Sequence, residues 1–197
     1  MLYSSVTLLQ EFANDLEATL ENARKQLLSV EKYLQGPIVL PGPTGESNML
    51  YHEPRGTVVC YADKDTSFNF WVLSIVTALA TGNRVITVVS DHFYEHALAL
   101  TRELQPEHQA ILQIVPIEQF ANILARDEVD AVVVGIGCQR KSFITHALAQ
   151  RGGKLIPMIQ SSYEVNLIER LIMEKTISID TTASGGNTVL MTLSNDG

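Results

Sequence analysis

The chain holds one G-x-G, Gly135-Ile136-Gly137, and Cys138-Gln139-Arg140 follow it directly. Glycines at a strand end let backbone approach a phosphate, and the N–H groups at a helix start can hold an anion. Cys138 falls at that helix start, where a thiolate would be stabilised. A tight strand-to-helix turn explains the glycines equally well, and a packed thiol explains the cysteine. We take that ordinary reading and keep Gly135, Gly137 and Cys138 only as candidate cofactor contacts.

His92 and His96 are spaced i,i+4 and could ligate a metal from one helix face. Phe93-Tyr94-Glu95 between them departs from the HEXXH pattern, and no third ligand is evident, so a solvated helix face is the better account. His52, His108 and His146 are isolated. Cys60, in mid-strand, and Trp71, near a helix start, read as core. No Ser-His-Asp set or carboxylate pair can be argued from spacing. The expectation is no catalytic residue and no metal in this chain.

Composition bounds the function classes. At 197 residues, 46% hydrophobic and 18% charged, the chain suits one packed domain or a domain with an appendage. A net charge of −8 argues against nucleic acid or an anionic membrane surface as partner. Two cysteines give no disulfide framework. There is no basic-then-apolar leader and no apolar run of about 18 residues, so a cytoplasmic location without membrane insertion is expected. Met1 need not be a natural start.

Periodicity supplies the elements. Ser4 or Ser5 can cap a helix towards Gln35, stopped by Gly36-Pro37. Its apolar residues are read as packing on the chain's own core, with partner binding the lesser option. Pro41 to Gly45 forbids helix or central strand, and Met49-Leu50-Tyr51 can be a short strand. From Thr57 the chain alternates short continuous apolar strands with helices. The strands are Thr57–Tyr61, Arg84–Val89, Ala110–Val115, Val129–Val134 and Leu155–Ile159. Helices are expected from a cap at Asp65 or Thr66, from Ser90 or Asp91 to Leu104, and over Glu118–Arg126, Gln139–Gln150 and Glu164–Glu174. This predicts an α/β fold, a Rossmann-like parallel sheet of about five strands with helices on both faces. The first strand-to-helix turn, Ala62 to Ser67, has no glycine and carries Asp63 and Asp65, which would repel a dinucleotide's phosphates. The tail from Thr176 to Leu193 alternates with period two: Ile177, Ile179 and Thr181 share a face, then Val189, Met191 and Leu193. Two strands are marginal alone, so this ribbon needs a third strand and a surface to cover.

LPGPTGESN (40–48), PRGTVVCYAD (54–63), ALATGNRV (78–85) and ISIDTTASGGNTVLMTL (177–193) closely resemble the C-terminal domain of long proline utilization A (PutA) proteins. The likeness runs from about Leu40 to Leu193. It implies a parent that oxidises proline to glutamate at two sites, one a flavin-dependent proline dehydrogenase and one an NAD-dependent aldehyde dehydrogenase acting on glutamate semialdehyde. FAD and NAD are thus implied for the parent and no cofactor for this domain. The domain resembles an aldehyde dehydrogenase reduced to its Rossmann domain and β-flap. The resemblance implies that the flap covers the aldehyde dehydrogenase module of the same parent chain and seals the channelling cavity.

Laid on the aldehyde dehydrogenase pattern, the oxyanion asparagine falls near Asp65, the ribose-contacting lysine on Val88 and the general base on Ser161. Gly137-Cys138 fits the Gly-Ser that opens a cofactor-facing helix. Of the 36 residues after Ser161, none is cysteine, so no nucleophile is expected. The resemblance therefore implies a retained fold without retained chemistry. The alternative is a vestigial NAD(H)-binding regulatory domain.

The expected organisation is a helical segment over 1–36, a Rossmann-like domain over 37–175 with 38–52 joining the flap, and flap strands over 176–197. The flap is expected to have two to three strands. Its interaction residues are taken as Pro43, Gly45, Glu46, Asn48, Ile179, Thr181, Gly185, Gly186, Asn187 and Met191. An isolated chain is expected to form a homodimer through the flap.

Overall fold

The computed structural model describes residues 2–103, 110–161 and 166–180. Helix α1 (Leu2–Tyr33) leads, and Gly36, at φ +127, turns the chain out of it. Strands β1 (Ile38–Leu40) and β2 (Glu46–Pro54) form an antiparallel hairpin around the Pro41–Gly45 loop, with Leu40 opposite Asn48. The prolines stay outside the ladder, as their missing N–H requires. Arg55-Gly56 then passes the chain straight into β3 (Thr57–Ala62).

The α/β core follows: α2 (Phe68–Ala80), β4 (Arg84–Val89), α3 (Asp91–Glu103), β5 (Leu112–Pro116), a 3₁₀ turn (Ile117–Gln119), α4 (Phe120–Leu124), β6 (Val129–Gly135), α5 (Lys141–Ala149), β7 (Met158–Ser161) and α6 (Asn166–Leu171). The five strands are parallel in the order β5-β4-β3-β6-β7. Val58 to Ala62 and Val85 to Val89 are buried without alternation, because helices cover both faces. One layer packs Trp71, Ile75, Phe93 and Leu171 against Val58 and Cys60. The other packs Phe120, Ile123, Leu124 and Ile144 against Val59 and Tyr61. The expected doubly covered Rossmann-like sheet is the one found.

Several boundaries differ from the sequence reading. Helix α1 includes the expected caps Ser4 and Ser5, and β5 starts at Leu112 and not Ala110. Helix α5 starts at Lys141 and not Gln139, which leaves Cys138 in the turn before that helix. The cap of α2 is Ser67, whose Oγ accepts from the Phe70 N–H at 3.2 Å. Thr66 Oγ1 is instead taken up by Asp63, accepting from its N–H at 3.0 Å and donating to its Oδ1 at 2.9 Å. Asp63 Oδ1 also accepts from the Asp65 N–H, which keeps Asp65 in the turn ahead of the helix. The fifth strand starts at Met158 instead of Leu155, which is 99% exposed. Pro157 has no N–H for a ladder, although its carbonyl accepts from Val132 N at 3.0 Å. The third helix-like stretch, Glu118–Arg126, divides into the 3₁₀ turn and the five-residue α4. Finally, helix α6 stops at Leu171, and residues 172–174, expected to be helical, open a strand.

That strand, β8 (Ile172–Asp180), pairs antiparallel with all of β2, from Pro54 opposite Ile172 to Glu46 opposite Asp180. The third strand expected around Met49–Tyr51 is thus real and longer, and β2 is the centre of the sheet β1-β2-β8. The expected second strand of the tail lies outside the described residues.

Candidate functional site

In an open parallel sheet, ligands bind where the strand order reverses, beyond the carboxyl ends of the strands. Here that point lies between β3 and β6. A cleft of about 200 Å³ opens there, lined by the Asp65-Thr66-Ser67 turn, Phe70, the Gly135–Cys138 loop and Ser161. The fold therefore brings the candidates Gly135, Gly137 and Cys138 together with the positions that the aldehyde dehydrogenase pattern assigns to oxyanion and base.

The side chains in this cleft are poor tools for aldehyde oxidation. Asp65 is an exposed carboxylate, and an anion next to a developing oxyanion opposes it. Ser161, at the end of β7, offers a hydroxyl where a general base needs a carboxylate. Val88 is fully buried within the sheet and turns no side chain towards a cofactor. Cys138 is 7% exposed, and burial raises its pKa first of all. The Arg140 backbone, Lys141 and Arg140 oppose that rise, while Asp63 adds to it. The group is a thiol at neutral pH, not the thiolate that attacks an aldehyde. A Cβ at Gly135 would lie 3.5 Å from the Phe70 ring, an ordinary contact, so packing does not by itself require glycine there.

Beside the loop, Tyr61 is 1% exposed and stacks on Phe120 at 4.6 Å. Its hydroxyl makes no hydrogen bond of ordinary geometry. Burial, with Asp63, pushes its pKa up to about 12, and the nearby Arg140 guanidinium draws it the other way.

The two histidine rings of α3 each pack on an aromatic neighbour. The His92 ring packs on Phe93 and the His96 ring packs edge-on to Phe68 at 5.7 Å. Among the described residues no group of three or more His, Cys, Asp or Glu could hold a metal. No described helix is long and apolar enough to cross a membrane.

The flap is the second feature. Glu46, Asn48 and Ile179 lie on its strands and Pro43 and Gly45 in its hairpin loop, where Gly45 takes φ +93. Asn48 Nδ2 reaches Glu46 Oε2 at 3.5 Å and crowds Gly42, leaving no room for a Cβ there. Thr181, Gly185, Gly186, Asn187 and Met191 lie outside the described residues. The alternation read in β8 predicts one buried face, yet residues 173–180 are exposed throughout. Met173, Ile177 and Ile179 are 41–53% exposed, and Val39 on β1 is 73% exposed.

The root of this exposed sheet is built from residues that motif reading passed over. Arg55 donates from its backbone N–H to the Leu171 carbonyl, from Nε to Arg170 O at 2.9 Å and from Nη2 to Ile172 O at 3.3 Å. Asn83, 3% exposed, accepts from Gly56 N at 2.8 Å and donates to Leu171 O at 3.0 Å. The Tyr33 hydroxyl donates to Glu169. The phenol's pKa rises through that bond first, then through burial and the charges of Glu169 and Glu174. These ties join α1, β2 and α6–β8. Arg55, within PRGTVVCYAD, and Asn83, within ALATGN, lie in stretches that carried a sequence signal, while Tyr33 does not.

No family model matches the sequence. The chain is 31% identical over 79% of its length to the bifunctional protein PutA of Escherichia coli, and 31% identical over 79% to that of Salmonella typhimurium. It spans 11% of the length of each of these relatives. A crystal structure of a Bradyrhizobium japonicum PutA variant superposes with a TM-score of 0.62 at 24% identity, covering 72% of this chain and 15% of that one. A putative aldehyde dehydrogenase from Burkholderia cenocepacia gives 0.62 at 17% identity, covering 77% and 32%. Those two likenesses establish the fold. The chain is a homologue of a segment of the bifunctional PutA proteins, carried on an aldehyde dehydrogenase-like fold.

Proposed function

We propose that this chain is a non-catalytic interaction domain of a PutA-like protein, and that its β1-β2-β8 flap covers the aldehyde dehydrogenase module of that protein. The observation that carries this reading is a firmly rooted sheet whose apolar residues, Met173, Ile177, Ile179 and Val39, stay open to solvent. Apolar surface held out on an ordered element marks a contact site. The replaced groups in the cleft support a scaffold in place of an enzyme. The flap residues Pro43, Gly45, Glu46, Asn48 and Ile179 would meet the module, joined by Thr181, Gly185, Gly186, Asn187 and Met191. The flap would close a cavity through which glutamate semialdehyde passes between two sites, one using FAD and the other NAD. The protein would work in the cytoplasm, with the Rossmann-like part of residues 37–175 as the base and β1, β2 and β8 as the flap it holds. Away from that module, the flap's edges would pair two copies in a two-fold arrangement.

Deleting this domain from its parent should lower aldehyde dehydrogenase activity and introduce a lag in conversion of proline to glutamate. Unchanged activity together with an unchanged lag would sink the proposal.

A second reading is a vestigial NAD(H)-binding domain with a regulatory role. Its support is the cleft at the switch point and the buried Tyr61 hydroxyl without an ordinary partner. Calorimetry of the chain with NAD and NADH separates the readings. Affinity tighter than about 1 mM, near −4 kcal/mol, would favour this one. The flap reading expects no heat of binding in that range.

A further inference from the structure

We propose that α1 is a dimerisation helix that pairs antiparallel with α1 of a second copy of this chain. The helix has a buried stripe that packs it and, beside that, an apolar stripe that the chain leaves open. Thr19, Ala23, Gln26 and Val30 form the buried stripe, and α1 packs on α2. Beside it runs a second stripe of leucines open to solvent: Leu16 at 39%, Leu20 at 52% and Leu27 at 47% exposed. Together these residues follow a heptad. Leu20 and Leu27 take a positions and Leu16 a d position, while the d positions Ala23 and Val30 are already buried within the chain, so the seam left open is Leu16, Leu20 and Leu27. The sequence continues it upstream with Val6, Leu9 and Ala13.

Charge identifies the occupant. The e positions beside the leucines are Glu17, Arg24 and Glu31, all exposed, and no ion pair among the described residues uses them. In an antiparallel pair, e positions face e positions. Setting Leu16 of one copy level with Leu27 of the other brings Glu17 beside Arg24 of its mate, and the two-fold axis repeats the pair. In a parallel pair in register, Glu17 would meet Glu17 and Arg24 would meet Arg24, and the g residues Thr19 and Gln26 are buried within the chain. The surface is thus complementary to itself in one orientation. It does not involve the flap and stands apart from the flap reading.

Single cysteines test it, because Cys60 and Cys138 are both buried. A mixture of E17C and R24C chains should form the mixed disulfide faster than either variant couples with itself. Coupling without that preference, faster E17C self-coupling, or no coupling would overturn the proposal. Charge reversal gives a second readout. E17R or R24E introduced into the cysteine-bearing partner chains should slow mixed coupling about fivefold at low salt, and reversal at both positions should restore pairing. These sites are exposed, so folding is retained. Reversal without effect would also overturn it.

Discussion

Gly56→Ala is expected to cost roughly 3 kcal/mol and to lower the melting temperature by about 6–12 °C. Gly56 has φ +129, which side chains rarely adopt, and it joins flap strand β2 to core strand β3. A Cβ there would collide with the Asp130 carboxylate, whose Cγ would lie 2.6 Å away. Asp130 cannot move freely. Its Oδ2 accepts from Thr57 N at 2.7 Å, and its Oδ1 meets Lys154 Nζ at 2.5 Å. The substitution therefore adds backbone strain to a broken hydrogen bond on the first residue of β3. A double-mutant cycle separates the two. In an Asp130→Ala background the carboxylate collision is gone, leaving a 3.3 Å approach to the Cβ at 130, and Gly56→Ala should cost mainly the backbone share, about 1–2 kcal/mol. Urea unfolding of the four proteins provides the measurement. Equal cost in both backgrounds would show that the carboxylate contact carries none of the effect.

The core strands were legible because a strand covered on both faces reads as a run of apolar residues. Thr57–Tyr61, Arg84–Val89 and Val129–Val134 follow from that alone, each within one residue of the strand found. The site positions were legible only as far as the alternation of strand and helix orders them. Gly135, Cys138 and Ser161 converge because β6 and β7 are neighbours, a pairing that local sequence does not state. The end of α6 was not legible. Its last carbonyls at Arg170 and Leu171 are held by Arg55 and Asn83, 115 and 88 residues away in the chain. Such long-range ties decide where the helix gives way to β8, and they leave no mark in the stretch from Glu164 to Glu174. The alternation in β8 was visible, but its meaning was not. Within this chain neither face of residues 173–180 is buried, so the pattern speaks of a strand without saying what covers it.

Asn83→Ala should loosen the flap while leaving the parallel sheet assembled. The side chain is nearly fully buried and satisfies three groups at once. Its Oδ1 accepts from Gly56 N, and its Nδ2 donates to Leu171 O and to Thr81 Oγ1 at 2.9 Å. Both chain passages between core and flap, β2 to β3 and α6 to β8, are thus tied to the end of α2 by one amide. Alanine leaves the half-buried Gly56 N–H without its acceptor and takes from the Leu171 carbonyl one of its two donors, the Arg55 N–H remaining, at a cost of about 1–3 kcal/mol. Asn83→Asp keeps the acceptor for Gly56 but sets a carboxylate oxygen against the Leu171 carbonyl, and should be no better. The cost should be local. Amides of β2 and β8 should exchange faster, while those of β3 and β4, closed in by both helical layers, change least. A uniform rise in exchange across all strands would mean that Asn83 supports the whole fold and not the flap root. In a PutA-like parent, the same substitution should reproduce part of the lag seen on deleting the domain, because a flap that swings at its root covers its target for only part of the time. Full channelling in that variant, with β2 and β8 shown to be loosened, would separate flap order from flap function and count against the covering role.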